Sequence, residues 1–316
     1  MRTTTTVANK EEKSVSLKAT LWITGISLGY LLLSYLLIGF KVDQLLLVGL
    51  FTSLYYLSPT TRKFALGFTI FGVFWILYDY MKAFPNYWFN PVHIQDLYEA
   101  EKALFGITYG GARLTPNEFW LQHHNTVLDV LSGIFYLCWV PVPMGFAAYL
   151  FFRDRTQFTY FSLTFLLVNL LGFVAYYLYP AAPPWYVQLH GFEFIPKTPG
   201  NMAGLAHFDA FFQIDLFRGM YAKGSNVFAA MPSLHSAYPL IVVYYGVKNR
   251  LKVAREVFGI IAVGIWFAAV YTSHHYILDV LLGILFAFAS IVLFNYLMAR
   301  RGPTYRVVQQ FINAIE

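Results

Sequence analysis

Two short polar islands hold the residues of this 316-residue chain best suited to chemistry. One is Met231-Pro232-Ser233-Leu234-His235-Ser236, and the other is Ser273-His274-His275-Tyr276-Ile277-Leu278-Asp279. Asp279 follows His275 by four positions and His274 by five. On a helix only the four-residue spacing stacks two side chains on one face, so His275 is the histidine that Asp279 would orient. One imidazole held by a carboxylate, with a second brought across from another helix, suits nucleophilic attack coupled to proton donation. The helix start at Pro232 to His235 would add free N–H donors and a positive dipole end, both suited to a phosphate. The bland alternative is that histidines at helix ends sit in a polar interface. An Asp at membrane depth costs roughly 2.5–3.5 kcal/mol, which favours a chemical role for the island that carries one.

The elements that must position these islands are membrane-spanning helices. Apolar runs fall near 18–40, 44–58, 64–84, 126–152, 159–180, 231–248, 256–273 and 276–298, and are read as eight spans. The run at 44–58 is the shortest, and a tilted or re-entrant path fits it as well as a crossing. His235 and His275 are 40 residues apart, and the stretch between them reads as one crossing and a return. At about 1.5 Å per residue, legs of roughly 18–20 residues each cover the ~30 Å hydrocarbon layer. The two histidines are thus expected to meet on one face. The predicted class is an all-α, polytopic membrane protein of about eight transmembrane helices, without internal repeats or a second domain.

Composition agrees: 58% of residues are hydrophobic, 20% aromatic and 12% charged, with a mean hydropathy of +0.53. A net charge of +6 would suggest nucleic acid in a soluble protein, but here the basic residues are distributed about a bilayer and no nucleic-acid partner is expected. The single Cys138 excludes an intramolecular disulfide and any multi-cysteine metal site. The first 17 residues read as a flexible polar tail with no cleavable signal. Fifteen Lys and Arg residues fall on the face opposite the islands and seven on the island face: Lys41, Lys82, Lys102, Arg113, Lys197, Arg218 and Lys223. An excess of Lys and Arg marks the cytoplasmic side, so the islands are expected to face a periplasm, the cell exterior or an organelle lumen.

Segments beside the islands supply further candidates. Residues 92–105 read as an amphipathic helix lying on the membrane surface, either a connector or a lid, with Glu101 alone falling on its apolar side. Gln122-His123-His124-Asn125, with Asp129 one turn beyond, lies at the depth of the islands. His124 and Asp129 are candidates for headgroup binding or support of the site, against simple interfacial solvation; Asp79 is a weaker member of the same group. Tyr179-Pro180-Ala181-Ala182-Pro183-Pro184-Trp185-Tyr186 stops the fifth span, since prolines enforce extended backbone, and keeps Trp185 as a candidate substrate wall. Arg218 and Lys223 are the basic residues nearest before His235, and are candidates for holding phosphate charge. No carboxylate cluster suited to Mg²⁺ accompanies the islands, and neither a metal nor a cofactor is expected.

The pairing of MPSLHS with HHYxxDVxxG resembles the type-2 phosphatidic acid phosphatase superfamily, and within it the inositol phosphorylceramide synthase-like branch. The Ala182-Pro183-Pro184-Trp185 stretch is similar to that branch too, and the resemblance runs from about Glu101 to the end of the last span. It implies a six-helix phosphatase-like core, a nucleophilic His275, an Asp279 that orients it, and a His235 that protonates the leaving alkoxide. The chain departs from the superfamily in three ways. It has no K-x6-R-P signature, Ala269 stands where an Arg precedes the nucleophile by six positions, and Leu234 replaces the Gly of P-S-G-H. The phosphate-binding cations are therefore unassigned, which puts Arg218 and Lys223 in play, and the substrate-binding candidates as a whole are Ser233, Leu234, Arg218, Lys223, His124, Asp129 and Trp185. The implied organisation is a cytoplasmic tail (1–17), two N-terminal transmembrane helices (18–60), a catalytic core (61–300) and a second cytoplasmic tail (301–316).

The implied activity is transfer of phosphoinositol from phosphatidylinositol to ceramide or a related lipid alcohol, through a phosphohistidine, with release of diacylglycerol. Two alternatives stand beside it: a lipid phosphatase or phosphodiesterase of the same superfamily, and a lipid or proton-coupled transporter. A phospholipid donor and a lipid alcohol acceptor are the expected partners, and no protein partner is implied. Clustering of the polar groups at one face, with few charges mid-span, weighs against a conduction path.

Overall fold

The computed structural model describes residues 15–222, 224 and 226–316. Its helices are α1 (Leu17–Ile38), α2 (Val42–Leu57), α3 (Pro59–Tyr80), α4 (Gln95–Phe105), α5 (Pro116–Gln122), α6 (Thr126–Leu137), α7 (Pro141–Arg153) and α8 (Arg155–Leu178). They continue as α9 (Pro184–His190), α10 (Ala206–Phe212), α11 (Leu216–Ala222), α12 (Leu234–Lys248), α13 (Lys252–Tyr271), α14 (Ile277–Ala299) and α15 (Pro303–Ile315). The described strands are β1 (Ile107–Tyr109) and β2 (Ala112–Leu114), an antiparallel hairpin turned at Gly110 and Gly111, whose φ values of +58° and +81° suit glycine.

Six segments are long and apolar enough to cross a membrane: α1, α3 with the short helical turn after it, α6 with α7, α8, α13 and α14. The other two expected spans are the shorter helices α2, of 16 residues, and α12, of 15. α12 is shorter than the apolar run 231–248 because Met231 and Pro232 form a bend and Ser233 becomes its cap. The fourth run is broken at 138–140, where Pro141 and Pro143 cannot donate into the preceding turn and start α7 anew.

The chain divides into two compact units. In the first, through Thr69, α1 is apolar all round with only Ser34 buried, as expected of a helix solvated by lipid. Its turn into α2 is closed by Gln44, whose Nε2 donates to the Gly39 carbonyl at 3.1 Å and whose Oε1 accepts from the Lys41 amide at 3.2 Å. The second unit, Ile70–Asn313, holds both islands. There α12 packs between α13, α14 and α8. Aromatic rings fill the joints: Phe165 of α8 lies 4.4 Å from Tyr238 of α12, and Phe74 of α3 stacks on Phe173 at 6.1 Å. Between α8 and α12 a buried polar pair is satisfied as apolar surroundings demand, with Tyr238 donating to Asn169 Oδ1 at 2.6 Å.

Loops at the island end are tied by backbone pairing. Ala181 bridges in parallel to His93 on one side and to Ala229 on the other. The amide of His93 donates to the Pro180 carbonyl at 2.8 Å, and that of Ala181 to the Phe228 carbonyl at 2.9 Å. The proline-rich stretch is thus the middle strand of a small three-segment layer, the use its extended backbone permits. Buried Asn86 reinforces it, donating through Nδ2 to the carbonyls of Tyr176 and Phe228, both at 2.8 Å. The expected surface helix is α4, and Glu101, the residue that broke its pattern, is fully buried.

Candidate active site

The second island begins as the cap of α13. Ser273 takes a left-handed φ of +61°, its amide donates to the Val270 carbonyl, and that of His274 donates to Ala269. These two bonds form a Schellman turn, with serine where glycine usually stands. The His275 amide also donates to Ala269, at 2.9 Å, so the position expected to lack a cation holds the two histidines by its carbonyl. Asn117 of α5 completes the hold: fully buried, it donates through Nδ2 to the carbonyls of Val270 (2.8 Å) and His275 (2.9 Å).

Asp279 meets His275, but not by helical stacking. α14 begins only at Ile277, and Asp279 Oδ2 accepts the Tyr276 amide at 2.9 Å as part of a helix cap. The same oxygen stands 3.5 Å from His275 Nδ1, so the carboxylate faces the imidazole from the cap. Other amides of this helix start are taken by Glu101 of α4, whose carboxylate accepts from Ile277 (2.9 Å) and Leu278 (3.1 Å). Burial raises Glu101 to about 7, against the opposing pull of these two amides and with added repulsion from Asp279.

The first island docks on the second. Ser233 caps α12 through its own hydroxyl, which accepts from the Ser236 amide at 3.3 Å, and its amide donates to the Asp279 carbonyl at 2.9 Å. Of the amides expected to be free between Pro232 and His235, that of Ser233 is therefore already engaged. Such close approach needs Gly283 one turn beyond Asp279, where a Cβ would lie 2.1 Å from the Ser233 carbonyl oxygen. Leu234 has its own accommodation, because a Cβ at Gly172 of α8 would come within 2.8 Å of its side chain.

This docking brings His235 Nδ1 to 3.1 Å from His275 Nε2. Tyr136 of α6 also reaches His235 Nδ1, at 3.2 Å, and is itself bonded to Tyr221 of α11 at 2.6 Å. Burial holds His275 down to about 4, so its ring is neutral and carries the lone pair a nucleophile needs. Both histidines line a cavity of about 170 Å³, walled by aromatic rings that include Trp75, Tyr78, Trp139 and Trp185. His274, Asn201, Asn226 and Leu234 share the wall, while Lys, Arg, Asp and Glu are absent from it among the described residues.

Of the substrate-binding candidates, Leu234 and Trp185 therefore face the cavity, and Ser233 serves it as a cap. Arg218 does not reach it: its side chain is 67% exposed and turned to Asp215 at 3.0 Å. Lys223 lies outside the described residues. His124 and Asp129 are also off the cavity wall, paired at 3.2 Å, and Asp79 pairs with Lys82 at 2.7 Å. His124, Asp129 and His207 bring potential metal-ligand atoms within 4.8 Å of one another. The two imidazoles are stacked, however, with ring centres 4.1 Å apart, and Asp129 already accepts from Tyr271 at 2.7 Å. Sequence reasoning missed Asn117, Tyr136 and Tyr221 and treated Glu101 as a blemish. For Glu101 that blemish, a carboxylate on an apolar face, was the available signal.

A sequence profile described as the PAP2 superfamily matches residues 96–293. A phosphoinositol dihydroceramide synthase of Bacteroides thetaiotaomicron is 45% identical over 290 residues, covering 91% of this chain and 95% of that protein. An inositol phosphorylceramide synthase of Candida albicans is 28% identical over 246 residues, 76% of this chain and 50% of its own length. The catalytic subunit of the Saccharomyces cerevisiae inositol phosphorylceramide synthase is 26% identical over 244 residues, again 76% of this chain and 58% of its own. No solved structure matches the chain.

Proposed function

The chain belongs to the PAP2 superfamily, and from that premise we propose that it is a membrane phosphotransferase moving phosphoinositol from phosphatidylinositol to ceramide or a related lipid alcohol. The observation that carries this reading is the 3.1 Å contact between His235 Nδ1 and His275 Nε2 in the wall of an aromatic cavity. In the first step His275 Nε2 attacks phosphorus. The phosphorus bond to the diacylglycerol oxygen breaks, and His235, entering the step as the imidazolium that a bound phosphodiester anion favours, gives that oxygen its proton and becomes neutral. Asp279 faces the other ring nitrogen and steadies the positive charge that the imidazole gains as it attacks.

Diacylglycerol then leaves, and His235 takes the proton of the acceptor hydroxyl as its oxygen attacks the phosphohistidine. Phosphorus is passed on and both histidines return to their starting state. Transfer rather than hydrolysis is supported by the aromatic wall, which disfavours water beside the phosphohistidine, and by the synthase names of the similar proteins. The reaction needs no nucleoside triphosphate, because the donor's phosphodiester is exchanged for another. That suits a site on the non-cytoplasmic face, the side supported by the Lys and Arg distribution.

Purified protein given labelled phosphatidylinositol is expected to form a phosphoinositol sphingolipid only when ceramide is present, with stoichiometric diacylglycerol. Release of inositol phosphate at the same rate with and without ceramide would identify a hydrolase instead.

A further inference from the structure

The cavity contains a third histidine that the transfer scheme does not use. His274 Nδ1 lies 3.0 Å from Thr272 Oγ1, and that hydroxyl commits its own proton to the Ala268 carbonyl at 2.7 Å. The Thr272 oxygen must then accept, which places the proton of a neutral His274 on Nδ1 and leaves a lone pair on Nε2. Burial, helped by the neighbouring His275 and His235, holds His274 well below the ordinary histidine range, so the ring is neutral and offers no cation to a phosphate. Nε2 is buried without a hydrogen-bond partner; the Asn201 carbonyl approaches the ring but does not reach hydrogen-bond geometry.

A second unpaired group stands in the same wall. Asn226 Nδ2 is a buried donor, also without a partner among the described residues. Leaving buried polar groups unpaired is costly, and a bound ligand can remove that cost. One wants a donor and the other an acceptor. A phosphate oxygen serves only Asn226. A quaternary ammonium serves neither, and a primary ammonium serves only His274 while finding no carboxylate in the described wall.

We infer that His274 and Asn226 form a polyol subsite beside the reacting histidines, where His274 Nε2 accepts from one hydroxyl of the donor headgroup and Asn226 Nδ2 donates to a hydroxyl oxygen. A hydroxyl gives and takes a hydrogen bond, so a ring that carries several serves both positions. The inference rests on the phosphoinositol-transfer reading and extends it, making headgroup choice a property of neutral hydrogen bonding rather than of charge.

The test is competitive inhibition of diacylglycerol release from phosphatidylinositol by water-soluble headgroups. Wild-type protein is expected to bind myo-inositol 1-phosphate at least roughly 10-fold more tightly than phosphocholine, the worth of one to two hydrogen bonds. His274→Ala and Asn226→Leu are each expected to shrink that ratio by about 10-fold while raising KM for phosphatidylinositol more than they lower kcat. Equal inhibition by the two compounds in the wild type, or an unchanged ratio in folded variants, would overturn the subsite. The wild-type arm needs no variant to fold. Dependence on ceramide is scored separately, so a hydrolase that still prefers inositol phosphate would reject the transfer reading and keep the subsite, whereas a transferase without preference would do the reverse.

Discussion

At the scale of single residues, the resting site is closed on itself. His235 and His275 share one hydrogen bond, and a phosphoryl group must part them before either can act on it. Their proposed duties differ, and a donor with an activated leaving group separates them. A p-nitrophenyl phosphoinositol ester needs no proton on departure, so His235→Ala is expected to lose about 10²–10⁴-fold on phosphatidylinositol and far less on the ester. His275→Ala is expected to fail on both and to yield no acid-labile phosphoenzyme. If His275→Ala still forms a trapped phosphoenzyme, His275 is not the nucleophile. Tyr136 reaches His235 Nδ1, the nitrogen that also meets His275, and joins it to Tyr221. Tyr136→Phe keeps the ring and removes this bond, and is expected to cost about 3–30-fold in kcat with little change in KM, measured under saturating donor.

Two helix starts meet at the elements' scale, and a glycine and a glutamate decide how they meet. The carbonyl of Ser233 occupies the space a side chain at 283 would need, and backbone does not yield as a flexible side chain would. Gly283→Ala must therefore push α12 from α14 and separate the imidazoles, with an expected loss of more than 10-fold in kcat even where a melting curve shows the protein folded. Retained activity would show that the helix starts have more freedom than this contact allows. Glu101 acts from α4 on the same helix start. Its pKa, about 7, lies above the ordinary value of 4.5, so the folded protein holds this proton more tightly than the unfolded chain. Stability linked to Glu101 is thus fully present below about 4.5 and is lost as pH rises through about 7, by at most about 3 kcal/mol. Melting of the purified protein across that window is expected to show the decline, and Glu101→Gln to remove it. A variant with the same slope as the wild type would assign the titration to another group.

Across the whole molecule, what was legible in the sequence is what periodicity and local spacing encode. The apolar runs marked the long helices, while α5, α9, α10, α11 and α15 lie outside them, and the equal legs on either side of the 248–255 turn brought His235 to His275. Contacts between distant segments were not legible: Glu101 and Ile277 are 176 residues apart, and Asn117 and His275 158, with no local pattern joining them. Arg218 failed as a phosphate ligand for the same reason, since nearness in sequence to His235 says nothing of the turn that points its side chain at Asp215. Sidedness, in contrast, is a property of the whole chain and rests on where fifteen basic residues lie against seven. The same count makes a physical prediction. Arg218 is exposed on the island side of α13 and α14, while Arg255 is exposed near the start of α13, one crossing away. In a Cys138→Ser background, Arg218→Cys is expected to react with a membrane-impermeant maleimide added to intact cells, or to sealed vesicles with the non-cytoplasmic face outward. Arg255→Cys is expected to react only after permeabilisation. The reverse pattern would put the histidines in the cytoplasm and overturn the assigned face, while their geometry and the chemistry proposed for them would be untouched.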